Sequence, residues 1–273
     1  RDVERSRGLG DVYKRQTYNF TLKAPVSDLK ARQRFVFVAN DAFDEPSPGE
    51  SQDELENKLA GIVLEEGHSA DKLAAKGTGI AMSGIARSNS SDVVTITPGV
   101  KCEVSLRRIV ARVDVQNNTP NMTLESAVLV GAATRGYLFA QAPLSAPVAD
   151  RIVLGSNATV DLTEEHPALK PGELFAPKTF RKTFYAYERP NTAGDYAAVR
   201  ITYRVNDSKG TVEVPFIRTE AGGAQTPVDI ERNHLYTVVL GNGKPVTTNE
   251  VQFTFKVCLL YTSPSPRDLS TSR

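Results

Sequence analysis

A chain of 273 residues with 33 Lys+Arg, 32 Asp+Glu and 40% hydrophobic residues is long enough to bury one large core or two ordinary ones. Its formal charge of +1 gives no electrostatic pull toward nucleic acid or an anionic membrane, and no apolar run approaches the roughly 18–20 residues of a membrane-spanning helix. Two Cys and three His supply no disulfide framework for a chain this size, and little material for metal or acid–base chemistry.

The two ends stand apart from the rest. Residues 1–16 are polar and Arg-rich without helical or strand period, and residues 258–273 join a short apolar run to a Ser/Pro/Arg tail. Both resemble translated sequencing-adapter read-through, carried by DVYKRQ at 11–16 and LLYTSPSPRD at 259–268. They are set aside as non-native tails. Cys258 leaves with the second tail, and Cys102 reads as a small buried hydrophobe on a strand face.

Between the tails the pattern is mostly that of strands. Residues 35–39 (FVFVA) form a nearly continuous apolar run, which predicts a central strand. A turn-rich loop follows, and Ser51 with Glu54 then has the spacing of a capping box. Leu55, Leu59, Ile62 and Val63 behind it fall at one helical stripe, which predicts a short helix weakened by Gly61 and packed against a sheet edge or end. From Val93 the period is two. Residues 93–96 lead through Pro98-Gly99 into a strand pattern over 100–115. Cys102, Val104 and Leu106 share one face of its first half. Ile109, Ala111, Val113 and Val115 are the buried set of the second, opposite Arg108, Val110, Arg112 and Asp114. This change of parity at Arg107–Arg108 predicts a bulge or break where the strand bends from one sheet to another.

Residues 122–133 supply a further strand, and the Pro/Ala/Ser-rich stretch 141–178 reads as a linker or boundary. Beyond it, 180–188 is an aromatic strand in which Tyr185 and Tyr187 share a face, as aromatic cross-strand partners would. Val199, Ile201, Tyr203 and Val205 alternate with Arg200, Thr202 and Arg204, and the NDSKG turn at 206–210 joins them to 211–217 as a hairpin. Residues 234–240 and 251–257 complete the block, with Val251, Phe253, Phe255 and Val257 facing one way. One helix among two strand-rich blocks predicts an all-β fold of two tandem β-sandwiches. The blocks span 17–145, which carries the helix, and 146–257.

The residues that carry chemistry form no recognisable site. No HExxH, CxxC, GxSxG or EF-hand loop occurs. The GNGKP string at 241–245 lacks phosphate-loop spacing and reads as a turn. His68 reads as a solvated loop residue, and His166 with Glu164 and Glu165 as a loop charge cluster. The acids of 40–45 (NDAFDE) offer oxygen ligands suited to Ca²⁺ but in no fixed loop pattern. Arg107, Arg108 and Arg112 alternate with apolar residues, as on a solvated strand face. No catalytic, cofactor or metal residue is assigned.

Several strings recur in a known order. They are ARQRFVFVAND (31–41), GIAMSGIA (79–86), VSLRRIVARVDV (104–115), TFYAYERPN (183–191), DIERNHLYTVVL (229–240) and VQFTFKV (251–257). Each is weak alone. Together, over residues 31–257, the set resembles the fimbrillin family, the FimA/Mfa-like subunits of type V pili in Bacteroidales. Physically the strings read as structural. Arg232 and Asn233, just before a strand, suit a turn fixed by side-chain-to-backbone bonds, and Tyr236 begins the strand's apolar half.

The resemblance implies two transthyretin-like Greek-key β-sandwiches in a pilus subunit that is exported as an outer-membrane lipoprotein. It also implies that a protease removes the first strand and that a strand from another subunit fills the groove by donor-strand exchange. The implied partners are other fimbrial subunits and host or bacterial surface ligands, with no nucleic acid and no cofactor. The implied membrane contact is a lipid anchor on an N-terminal Cys. No lipobox Cys precedes residue 17, the strand pattern stops at 257 where the family runs on, and the chain has no Trp; the resemblance therefore implies a sequence shortened at both ends. It leaves Val251, Phe253, Phe255 and Val257 as the candidate assembly strand. The residue reading also leaves open a surface carbohydrate- or protein-binding β-sandwich that does not polymerise, and disfavours an enzyme.

Overall fold

The computed structural model describes residues 32–40, 49–68, 73, 80–119, 121–155, 180–205, 208–246 and 253–259. The first part of the chain holds β1 (Arg32–Gln33), β2 (Val36–Ala39), the helix α1 (Gln52–Glu56), β3 (Met82–Ile85), β4 (Val94–Thr95) and β5 (Arg107–Arg108). β1 and β4 make a two-stranded sheet, and a second sheet has the order β2-β3-β5. The run at 35–39 is therefore an edge strand and not a central one. Val36 packs on the core while Val38, on the same face two residues further on, is exposed, so the apolar run leaves the core along its length.

The capping box forms as its spacing predicts. Glu54 N–H donates to Ser51 Oγ at 3.2 Å, and Ser51 N–H donates to Glu54 Oε2 at 2.8 Å. The helix stops at Glu56, however, and the stripe through Leu59, Ile62 and Val63 is not helical. Residues 58–64 instead run beside 134–138: Leu138 N–H reaches Lys58 O at 2.8 Å, Ala60 N–H reaches Gly136 O at 2.8 Å, and Leu64 N–H reaches Thr134 O at 2.9 Å. Ala60 and Leu64 are buried with Ile62 half-buried between them, while Gly61 and Val63 are exposed. That is a period of two lying inside a pattern that also fits 3.6.

The strand pattern of 100–115 divides at Ile109. Before it, β5 has two residues, and 100–106 holds only an isolated bridge between Glu103 and Arg87. After it, β6 (Val110–Asn117) belongs to a different sheet. The parity change at Arg107–Arg108 thus marks a real passage between sheets, one residue further on than predicted. Cys102 is exposed, contrary to the buried reading; its neighbour Glu103 pairs with Arg87 as an isolated bridge and not within a sheet. Val110 and Asp114 are buried along with the predicted set. Asp114 is held by both ends of the Arg112 guanidinium at 2.8 and 2.9 Å and by Thr183 Oγ at 2.8 Å.

The remaining elements are β7 (Met122–Ala133), β8 (Arg151–Leu154), β9 (Phe180–Tyr187), β10 (Ala198–Val205), β11 (Ser208–Pro215), β12 (Ile217–Thr219), β13 (Gln225–Pro227), β14 (His234–Leu240) and β15 (Phe253–Leu259). Two four-stranded sheets, β11-β10-β7-β8 and β15-β14-β6-β9, contribute to a shared core, and β12 pairs with β13 as a separate ribbon. Every pairing is antiparallel except that of β6 with β14. Val199, Ile201, Tyr203 and Val205 are buried, while Arg200 and Arg204 point out to Glu213 and Glu125. Glu125 is the residue skipped where the β7–β10 register shifts, and the bulge presents it to both Arg204 and Lys209.

Four expectations change here. Both four-stranded sheets take strands from either side of residue 145, so a boundary at 145/146 cuts through each of them; the chain changes sheets at Ile109 instead. The stretch 141–178 contains β8, which pairs with β7, while 156–179 lies outside the described residues. In the hairpin, Ser208 already pairs with Val205, so 208–210 are strand; Asn206 and Asp207 lie outside the described residues. β15 also runs on through Cys258 and Leu259, which pair with Leu235 and His234.

Candidate assembly edge and the junction of the sequence strings

β15 pairs with β14 in the register Leu240–Phe253, Val238–Phe255 and Tyr236–Val257. Directly opposed residues lie on one face of a sheet, so Phe253, Phe255 and Val257 extend the face that Tyr236, Val238 and Leu240 bury. Phe255 is half-buried, its ring 5.0 Å from that of Phe216 and 6.1 Å from that of Tyr236. Phe253 and Val257, on either side, are 45% and 41% exposed. Among the described residues β15 has a partner on one side only. The result is an open ladder edge with apolar side chains at the rim of the core, and Lys256 is the one charge along it. Val251 of the candidate strand lies outside the described residues.

A second constellation was not foreseen. Arg232, just before β14, does not fix its own turn. Its Nε donates to Glu188 Oε2 at 2.8 Å and its Nη2 to Glu188 Oε1. Nη1 reaches Leu138 O at 2.9 Å and Ser83 Oγ at 3.5 Å, and Nη2 reaches Tyr137 O at 3.0 Å. Arg232, Glu188 and Ser83 are all buried. Asn233 adopts φ 60°, its N–H donates to Val110 O at 2.9 Å, and its Oδ1 accepts a long 3.5 Å contact from Arg108. Four of the strings noted above therefore meet at one place, through Ser83, through Arg108 and Val110, through Glu188, and through Arg232 and Asn233. The partners are 44 to 149 positions from Arg232, beyond any local pattern.

The tyrosines complete this region. Tyr185 and Tyr187 stand opposite Arg112 and Val110, so the expected aromatic pairing across β9 does not occur. Tyr187 O–H instead donates to Ile62 O at 2.7 Å. Tyr236 O–H donates to Asp229 O at 2.6 Å and accepts from Glu231 N–H at 2.8 Å, binding the approach to β14 onto the strand. Burial raises both phenols well above the ordinary tyrosine range. Next to Glu188, the fully buried Arg189 reaches Gly131 O at 2.5 Å, Asp195 O at 2.7 Å and Asp195 Oδ1 at 2.8 Å.

Other candidates stay apart from these sites. His68 is half-buried, its Nδ1 2.6 Å from Glu65 N. His166 and residues 41–45 lie outside the described residues. The GNGKP segment follows β14, with Gly243 N–H donating to Asn118 O at 2.9 Å. Among the described residues no group of three His, Cys, Asp or Glu side chains gathers as a metal site would.

No family model matches the chain and no curated protein matches it. A solved structure of the tip fimbrial protein Mfa3 from Porphyromonas gingivalis, with a C-terminal truncation, is similar in fold. It has 17% sequence identity and a TM-score of 0.53 over 83% of this chain and 79% of that one. A Bacteroides fragilis protein with a proposed role in cell adhesion aligns at 12% identity over 64% of this chain and 55% of its own, with a TM-score of 0.31, too low to carry an argument. By its all-β architecture and its likeness to the tip fimbrial protein, the chain has a Mfa/FimA-like fimbrillin fold.

Proposed function

We propose that the chain is a structural or accessory subunit of a bacterial surface fimbria that assembles by donor-strand exchange and supports adhesion. The observation that carries this reading is the β15 edge, open among the described residues, where Phe253 and Val257 leave apolar surface exposed beside the ladder. The similarity in fold to a tip fimbrial protein supports it. A strand from a second subunit laid along such an edge satisfies the free backbone groups and covers the apolar side chains in one step. Buried apolar area contributes about 25 cal/mol per Å² and each ladder hydrogen bond about 0.5–1.5 kcal/mol, so assembly by this route needs no cofactor and no catalytic residue.

In this reading the partners are further fimbrial subunits, and the place of action is the cell surface, reached as a lipoprotein precursor held at the outer membrane. The body that precedes Ile109 and the sandwich that follows it are the two domains. The test is to treat the full-length protein with an Arg-specific protease and follow its size by light scattering. Concentration-dependent polymers are expected. A protein that stays monomeric after clean removal of its first segment contradicts the reading.

A further inference from the structure

We infer that residues 64–68 form a strap that closes the β8 edge of the sandwich, and that opening the strap lets two copies of the chain pair through that edge. The inference does not depend on the proposed function. β8 ends the order β11-β10-β7-β8. Ile152 and Leu154 pair with Ala132 and Leu129 of β7, while among the described residues Val153 and Gly155 have no partner on that strand. Their backbone groups are what an edge strand offers to another chain. The strap takes up both residues instead. Gly67 N–H donates to Val153 O at 2.9 Å, and Gly155 N–H donates to His68 O at 3.0 Å. The strap reaches β8 from Leu64, whose N–H holds Thr134 O. Its turn is closed by His68 N–H on Glu65 O at 3.1 Å and by Glu65 N–H on His68 Nδ1 at 2.6 Å.

β8 needs such cover more than the opposite edge of its sheet does. β11 carries Lys209, Glu213 and Pro215, residue types that keep an edge strand from pairing with another chain. β8 reads Arg-Ile-Val-Leu, without proline. Its single charge, Arg151, is drawn to Asp195 and to the carbonyls of residues 148 and 150, which leaves three apolar residues in a row. A second copy presents the same short apolar strand, so the two match through one shared patch and close as a dimer. Gly67 is the weak point of the strap. It adopts φ 79°, a left-handed conformation that a side chain strains, and a Cβ there meets nothing within 4 Å. A substitution at Gly67 therefore acts on the strap's backbone and on no packing contact.

Sedimentation velocity of the full chain, without protease, tests this. The parent is expected to sediment as a monomer. G67P loses the N–H and does not hold a positive φ; it is expected to show a cooperative melt and to dimerise as its concentration rises. V153K places a charge on the uncovered edge, so G67P/V153K is expected to return to the monomer. Where G67P does not fold, G67V takes its place, keeping the N–H while straining the backbone. A folded Gly67 variant that stays monomeric, a dimer that V153K leaves intact, or a parent that dimerises as strongly as the variant overturns the inference.

Discussion

Arg232 Nε lies 2.8 Å from Glu188 Oε2, joining residues 44 positions apart, one just before a strand and the other just past the end of another. Both side chains are buried, at 5% and 3% exposed. Removing one partner strands the other charge away from water. Arg232→Met is therefore expected to cost about 3–5 kcal/mol, while R232M/E188L recovers at least half of that loss. Urea unfolding of the parent, both single variants and the double variant measures this as a double-mutant cycle.

Tyr236 and Tyr187 each use a buried phenol, but not equally. The Tyr236 hydroxyl serves two backbone groups, Asp229 O and Glu231 N–H, whereas Tyr187 serves Ile62 O alone. Tyr236→Phe is expected to destabilise by about 1–3 kcal/mol, and by more than Tyr187→Phe. Chemical denaturation of the two variants side by side checks the order.

Gly136 lies directly against the Tyr187 ring, and a Cβ there would collide with Cδ1 and Cγ. That ring is fully buried and held by its hydroxyl, so it has little room to withdraw. Gly136→Ala is expected to cost about 1–3 kcal/mol through overpacking. A Cβ at Gly194 meets nothing within 4 Å, and Gly194→Ala is expected to stay within about 0.5 kcal/mol of the parent. Thermal melting of both variants tests the contrast.

Asp195 gives the fold a pH dependence. Burial favours its neutral form, but the Arg189 hydrogen bond and charge, joined by Arg151, outweigh burial and hold the carboxyl below the ordinary aspartate value. The unfolded chain then binds the proton more readily than the folded one. The stabilisation is complete above the unfolded value of about 3.9 and fades as pH falls through the lower folded value. Asp195→Asn is expected to lose less stability than the parent between pH 6 and pH 3, starting from a less stable protein at pH 6. Denaturation at the two pH values decides it.

Strands with one buried face and clear alternation were legible in the sequence. β7 and β14 have the predicted limits, and the in–out pattern of β10 is the predicted one. The capping box at Ser51 was legible too, because its signal is local. The length of the helix was not, since Ile62 belongs both to the helical stripe of Leu55, Leu59, Ile62 and Val63 and to the strand-like set of Ala60, Ile62 and Leu64, and the strand-like partner at 134–138 lies far along the chain. For the candidate strand, the common face of Phe253, Phe255 and Val257 could be read from alternation; its place at an open edge depends on pairing with β14. Arg232 was noticed for its position before a strand, but its role rests on Ser83, Leu138 and Glu188, which no local spacing connects.

Assembly through the β15 edge is tested most directly by charging its two exposed positions. Phe253 and Val257 lie at the rim of the core, so F253R/V257R is expected to fold and melt like the parent. After protease treatment of the full-length proteins, sedimentation velocity is expected to show polymers for the parent and monomers for the variant. Equal polymerisation by a folded variant, or a parent that remains monomeric, contradicts assembly through this edge.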